Sequence, residues 1–302
     1  MKILLVVNKT YRDQIDGGWW YLYLPLKELG HDVHFYDTVN PKQKNFAKVV
    51  ETFKPDLIFC CMTGDQAIAP HEPWEIIKKE TDSGRTLTFN WFCDDTWRFE
   101  KFSKVACRHF RVCSTPEPDY VEKYRISGYD NILLGAWHSN VALYKEAHKE
   151  EKNIDFSFMG ALNGLRKEFI ERNSAIPIET FSNLSHDEML SVYARSKISI
   201  NLSVNENDIE KKTQMKQRIF EVPAARTMLL TEHHPGLEQF FDINKEIITF
   251  QSNEEFLEKA RFLIGRPMIV RAITKAGHAR FLAEHESKIR LAKVLKQIKE
   301  FK

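Results

Sequence analysis

The richest chemistry in the chain lies in Lys216-Gln217-Arg218-Ile219-Phe220-Glu221-Val222-Pro223-Ala224-Ala225. Wound as a helix, this segment puts Arg218, Glu221, Val222 and Ala225 along one side, so a cation and a carboxylate face the same neighbour. Pro223 removes one helical hydrogen bond and crowds the preceding turn. The segment is therefore predicted to start its helix near Phe220 or to bend there, with amides turned toward a ligand. A surface ion pair on a core helix would use the same residues. Upstream, Phe158-Met159-Gly160-Ala161-Leu162-Asn163-Gly164-Leu165-Arg166 runs from a strand through a glycine-containing turn to a basic residue near a helix start. Unpaired N–H groups and partial positive charge suit a phosphate there, and a plain strand-to-helix turn is the alternative.

Other candidates lie in the first half. Asp94 and Asp95 follow the apolar run Thr86 to Phe92, at a strand end where open α/β sheets place ligands. One of them is a candidate general base for a substrate hydroxyl. As a pair they could hold Mn2+ or Mg2+, or they could cap a helix. Gly17-Gly18, before the first helix, would let the backbone approach a phosphate or another ligand, or would simply turn the chain. His138 is a candidate acid, base or acceptor contact, with a structural histidine as the alternative. His233-His234 could approach a bound ligand; their adjacency makes joint metal ligation awkward, and no His-Glu-x-x-His helix is present, so no metal site is expected. The run Trp19-Trp20-Tyr21-Leu22-Tyr23-Leu24 reads as core and interface, with sugar stacking or peripheral membrane contact as the other readings.

The elements that must position these residues alternate. A buried-strand run, Ile3 to Val7, leads through a polar loop to an amphipathic segment ending at Gly30, and a second strand covers Val33 to Tyr36. Gly30 falls where a helix C-terminus needs a left-handed residue. Helices near Lys42 to Phe53 and Trp74 to Thr81 alternate with strands at Asp56 to Met62 and Thr86 to Phe92. Shorter strands are expected at Arg108 to Cys113 and Asn131 to Leu134. The charged stretch Lys145 to Lys152 reads as a linker, after which the pattern restarts with a strand at Asp155 to Met159. Ser185 and Glu188 form a capping box between strands at Ile178 to Phe181 and Ile198 to Leu202. Strands at Met228 to Thr231 and Ile247 to Phe250 precede helices at Asn253 to Ile264, Pro267 to His285 and Ser287 to Phe301. Such alternation favours mainly parallel sheets covered on both faces. The expected division is residues 1–139, a linker at 140–153, and 154–302.

A length of 302 residues suits two domains at roughly 150 residues each. The charge balance of 44 basic against 42 acidic residues argues against a nucleic-acid clamp while allowing a local basic site. Five cysteines, an odd number with no Cys-x-x-Cys spacing, indicate neither a disulfide framework nor a zinc site, and point to a reducing compartment. The apolar start is too short for a signal peptide, so the expected location is the cytoplasm.

Taken in order, the Gly160 turn, Ser196-Lys197-Ile198-Ser199-Ile200-Asn201, the Lys216 to Ala225 element, Glu246 to Phe250 and Ala276 to His285 resemble the C-terminal half of the spore-maturation-protein-like (CgeB-type) glycosyltransferases. The likeness spans roughly Asp155 to Leu295. The first half is similar to acceptor domains of the same fold at Asn90-Trp91-Phe92-Cys93-Asp94-Asp95-Thr96-Trp97-Arg98-Phe99. The resemblance implies an α/β GT-B fold, two Rossmann-like domains with mainly parallel sheets facing a central cleft. It implies a nucleotide sugar such as a UDP- or GDP-sugar as donor, a glycan or other hydroxyl acceptor, and no cofactor. By the same likeness Glu221 would hold the ribose hydroxyls, and Arg166, Lys216 and Arg218 would surround the diphosphate in place of a metal. Two positions depart from the pattern. Many retaining members carry a second glutamate eight residues before the ribose-binding one, where this chain has Thr213, with Glu206 and Glu210 further upstream. The usual glycine after Ala-Ala is Arg226. These departures keep open a nucleotide- or glycan-binding protein without transfer activity, beside metal-dependent transfer through Asp94 and Asp95.

Overall fold

The computed structural model describes residues 1–42, 45–204 and 212–301. The chain forms two compact units, one built from Met1–Ala136 together with the chain from Ser287 onward, the other from Trp137–Glu286.

In the first unit β1 (Lys2–Val7) is followed by a hairpin of β2 (Thr10–Tyr11) and β3 (Gln14–Ile15). Then come β4 (Asp32–Asp37), β5 (Leu57–Cys60), β6 (Leu87–Trp91), β7 (Val112–Thr115) and β8 (Ile132–Leu134). Apart from the hairpin these make one parallel sheet in the order β4-β1-β5-β6-β7-β8. Side chains alternate between its faces, so β1 sends Leu4 and Val6 into one core and Ile3, Leu5 and Val7 into another. Both faces are buried, which explains the unbroken apolar run at Ile3 to Val7. Gly30 takes a φ of 80°, the left-handed turn expected there. The aromatic run packs inward: Trp19 stacks on Tyr23 with centroids 4.3 Å apart, and both meet Phe35 edge-on.

The second unit repeats the plan with β9 (Ile154–Met159), β10 (Ile178–Phe181), β11 (Ser196–Asn201), β12 (Met228–Glu232) and β13 (Ile248–Phe250). Its parallel order is β10-β9-β11-β12-β13. Phe156, Phe158, Ile198, Ile200, Met228 and Leu230 form one core face. Helix His186–Arg195 begins with the expected capping box, Glu188 accepting from the Ser185 N–H at 2.8 Å. Lys152 closes its other end, donating to the carbonyls of Ala194 and Ser196 at 2.8 and 2.6 Å.

Two features of the expected division differ. Helix Ser287–Lys299 belongs to the first unit, because its stripe Leu291, Val294, Leu295 and Ile298 packs with Ile3, Leu5 and Leu26, while Lys288 pairs with Glu28 at 3.2 Å. The charged stretch read as a linker at 140–153 is packed into the second unit. Tyr144 and Ala147 are its buried anchors, and His148 bonds the Ala224 carbonyl at 3.0 Å. Charge density on the exposed positions masks those two anchors in the sequence. Among the described residues, no helix is long and apolar enough to cross a membrane.

Candidate functional site

In both sheets the first strand lies between the second and the third, so neighbouring crossovers leave in opposite directions and open a crevice at the carboxyl ends of the two strands. In the second unit those strands are β9 and β11, which end at Gly160 and at Leu202-Ser203-Val204.

Several expected residues meet there. Gly160 has a φ of 147°, and a Cβ on it would stand 3.3 Å from Arg218 Nη2 and 3.4 Å from Nη1. Glycine is therefore what lets the Arg218 guanidinium lie against the turn. That group sits 5.8 Å from the Phe158 ring centroid, and among the described residues its buried Nη1 has no hydrogen-bond partner. A buried guanidinium donor left unbonded costs stability unless a ligand supplies the acceptor. Arg166, on helix Gly164–Arg172, reaches the Val204 carbonyl with Nη2 at 3.5 Å, which brings it to the end of β11. Lys216 lies two residues before helix Arg218–Ala224.

Glu221 is only 8% exposed. The Tyr193 hydroxyl is hydrogen-bonded to it, and burial together with that carboxylate pushes the tyrosine pKa up, against an opposing effect of Arg218. Arg218, Glu221 and Tyr193 thus form one cluster; Tyr193 carried no signal in the sequence beyond its apolar neighbours. Helix Arg218–Ala224 starts two residues earlier than expected, with Pro223 inside it. Pro223 lies near the end of a seven-residue helix, so few turns remain for it to disrupt. Thr213 Oγ1 lies 3.0 Å from His234 Nδ1, and His233 Nε2 lies 2.7 Å from Glu238. Glu206 and Glu210 fall outside the described residues.

The carboxyl edge of the first sheet is different. Asp95 is fully buried, accepts from the Tyr124 hydroxyl at 3.0 Å, and is also bonded to Ser103 and Thr115. Burial raises its pKa to about 6, with the hydrogen bonds opposing and nearby Glu117 adding to the rise. Asp95, expected beside Asp94 as a base or metal ligand, has its carboxyl turned into the core and bonded there. Asp94 is half-buried just beyond the end of β6, at the N-cap position of helix Asp95–Arg98, and its side chain makes no capping bond. Cys93 Sγ lies 3.4 Å from Cys61 Sγ, at the ends of adjacent strands, and all five cysteines are free thiols.

The sequence reading missed Glu72 and Arg98 at this edge. Glu72 accepts from the N–H groups of Thr63 and Gly64 at 2.6 and 2.8 Å and from Trp74 Nε1 at 3.0 Å. Arg98 donates to the Thr63 carbonyl and lies over Phe102. Together they order the loop after β5. The only available signal was the placement of Glu72 just before a predicted helix.

Gly17 and Gly18 have a local reason. A Cβ on Gly18 would come within 2.7 Å of Val7 Cγ2 and 3.0 Å of the Asn8 carbonyl, so this glycine seats the helical turn on the end of β1. His138 is buried in the second unit at 3% exposure. Among the described residues, no group of three or more His, Cys, Asp or Glu side chains is placed to hold a metal ion.

Residues 141–296 match a family described as glycosyl transferase-like. That is over half of the chain, and the chain belongs to this family. Two doubly wound parallel-sheet units in one chain give the GT-B glycosyltransferase fold, and solved structures agree at low identity. A glycosyltransferase from Rickettsia africae ESF-5 is 13% identical with a TM-score of 0.64, covering 99% of this chain and 98% of its own. Sucrose-phosphate synthase from Thermosynechococcus elongatus is 9% identical with a TM-score of 0.66, covering 100% and 99%. Anabaena Alr3699/HepE, solved in complex with UDP-glucose, is 11% identical with a TM-score of 0.62, covering 99% and 100%. No curated protein matches the sequence.

Proposed function

We propose that the chain transfers a sugar from a nucleoside diphosphate sugar, UDP- or GDP-linked, to a hydroxyl of a glycan or surface polysaccharide, as a CgeB-type enzyme. The observation that carries this reading is the Arg218 guanidinium, laid against Gly160 at the crevice between β9 and β11 with a buried N–H unbonded among the described residues. Such a group is preorganised for an anion, and an arginine fork matches phosphate oxygens. Arg166 and Lys216 add positive charge at the same edge. As the bond from the sugar to the diphosphate breaks, negative charge builds on the leaving group, and fixed cations stabilise it without reorganisation. They supply what a divalent metal would otherwise supply, so the reaction proceeds without one.

Glu221, held by Tyr193, is assigned to the ribose hydroxyls, since a carboxylate accepts from two vicinal O–H groups. Asp94 is assigned to the acceptor hydroxyl. The UDP and UDP-glucose complexes of HepE support the choice of donor class.

Calorimetry with UDP and GDP on the wild type and on Arg218→Ala tests the site. Loss of a charge-assisted bond of about 1.5–3 kcal/mol predicts affinity roughly 10- to 100-fold weaker. Unchanged affinity would remove Arg218 from the donor site. Release of free nucleoside diphosphate from a sugar donor in EDTA separates metal-free transfer from both a metal-dependent enzyme and an inactive binding protein.

A further inference from the structure

A cavity of about 940 Å3 opens on the second unit, with neither Gly160 nor Arg218 in its lining. Its lining includes the first residues of two strands, Asp155 and Phe156 of β9 and Lys197 and Ile198 of β11. The sheet is parallel, so these amino ends lie the length of a six-residue strand, roughly 20 Å, from the carboxyl-end crevice.

Charge and apolar surface are combined there. Lys152, Lys197, Arg226, Arg271 and Lys275 line the cavity against two carboxylates, Glu151 and Asp155. Lys197 is neutralised by Asp155 at 2.6 Å, and Lys152 is spent on the carbonyls that close helix His186–Arg195. Three cations remain, beside the one carboxylate of Glu151. Among the described residues, neither Arg226 nor Lys275 makes a side-chain hydrogen bond or ion pair, and Arg271 contacts only the Met268 sulfur. Beside them Ile264 is 52% and Leu282 43% exposed, large aliphatic side chains at the cavity with no apolar cover. His278 is bonded to the Pro223 carbonyl at 2.8 Å and burial lowers its pKa, which disfavours its charged form.

Arg226 adds an independent sign. Its φ is 56°, a left-handed conformation that penalises any residue with a Cβ and favours glycine. A long cationic side chain held at such a position, and directed into a cavity, exchanges backbone ease for a placed charge.

We infer that this cavity binds a phosphorylated amphiphile, its phosphate on Arg226, Arg271 and Lys275 and its aliphatic chain on Ile264 and Leu282. A phosphate monoester, carrying about −1.5 to −2 charges at pH 7, matches three unpaired cations better than a single carboxylate does. The volume lies within the range of small-molecule sites, which join an apolar lining to a few placed polar groups.

The test is calorimetry of the full chain with monodecyl phosphate below its micelle concentration, beside decanol and inorganic phosphate. Monodecyl phosphate is expected to bind about tenfold or more tightly than either, since head and tail each contribute. Arg226→Gly should weaken it by about tenfold while the Tm stays equal or rises, because glycine relieves the left-handed backbone. Lys275→Gln should weaken it less. The proposal is overturned if Arg226→Gly leaves the affinity unchanged, if decanol binds as well as its phosphate, or if inorganic phosphate alone binds as well. None of these readings uses the nucleotide, so the donor assignment stands or falls separately.

Discussion

The two sheets share one winding plan, with the first strand between the second and third, yet their carboxyl edges carry opposite chemistry. The second unit presents Arg218 against a glycine turn and Arg166 at the Val204 carbonyl. The first presents thiols and carboxyls with one arginine committed to the backbone: Cys61 and Cys93 in contact, Glu72 tied to backbone amides, Arg98 on the Thr63 carbonyl, Asp94 half-buried and Asp95 in the core. Strand order fixes where a crevice opens, and the few residues that follow each strand decide what enters it. The glycines show the same divergence. Gly18 lets a helical turn press onto Val7, whereas Gly160 makes room for an arginine.

The contrast breaks first at Asp95 if that residue is not a core carboxyl. Its pKa of about 6 in the folded chain exceeds an unfolded value near 3.9, so the folded state binds the extra proton between those limits. The resulting stability is complete below about pH 4 and is lost as pH rises through 6. Asp95→Asn has no proton to lose, so its stability relative to wild type should gain roughly 3 kcal/mol between pH 4 and pH 7 in urea unfolding. A flat difference would place Asp95 in solvent.

Next in size is the pair Asp94→Asn and Arg218→Ala. Asp94→Asn should lower turnover by about 100-fold, within the range of general-base catalysis, while changing UDP affinity less than about twofold. Arg218→Ala should change UDP affinity first. A shared effect on nucleotide affinity would erase the distinction between the edges.

The glycines sharpen it further. Gly18→Ala crowds Val7 and should cost about 1–3 kcal/mol in denaturant unfolding without altering nucleotide affinity per folded molecule. Gly160→Ala should weaken UDP binding by about tenfold, since its Cβ meets the Arg218 guanidinium. The smallest effect concerns Cys93, whose thiol pKa is raised by its bond to Cys61 and by burial. It should react with iodoacetamide at pH 7 at least about tenfold more slowly than a free thiol, read by mass spectrometry.

Much of the fold is legible where one local rule decides it. The apolar run of β1, the left-handed Gly30, the Ser185 capping box and helix Asn253–Ile264 lie where spacing places them. Elements set by their neighbours are less legible. The β2–β3 hairpin turns through Arg12 and Asp13 at positive φ, without the glycine or asparagine that usually announces such a turn. The strand expected at Arg108 begins at Val112, because Cys107–His109 first makes a tight helical turn. Helix Ser287–Lys299 shows its apolar stripe plainly, but periodicity tells that a face is buried and not which core it joins. In the site, the grouping of Arg218 and Glu221 followed from helical spacing. The fates of Asp94 and Asp95 did not, since adjacent residues at a helix start diverge by the pocket each happens to meet.

The helix that returns to the first unit also sets an order of events during synthesis. Ile3, Leu5 and Leu26 leave the ribosome early, and their partners Leu291, Val294 and Leu295 emerge only after the whole second unit has been made. At about 5–20 residues per second the first sheet waits roughly 8–30 s with one apolar face open. The second unit, continuous in sequence, is the part free to fold while translation is still under way, and the half translated first is the last to close.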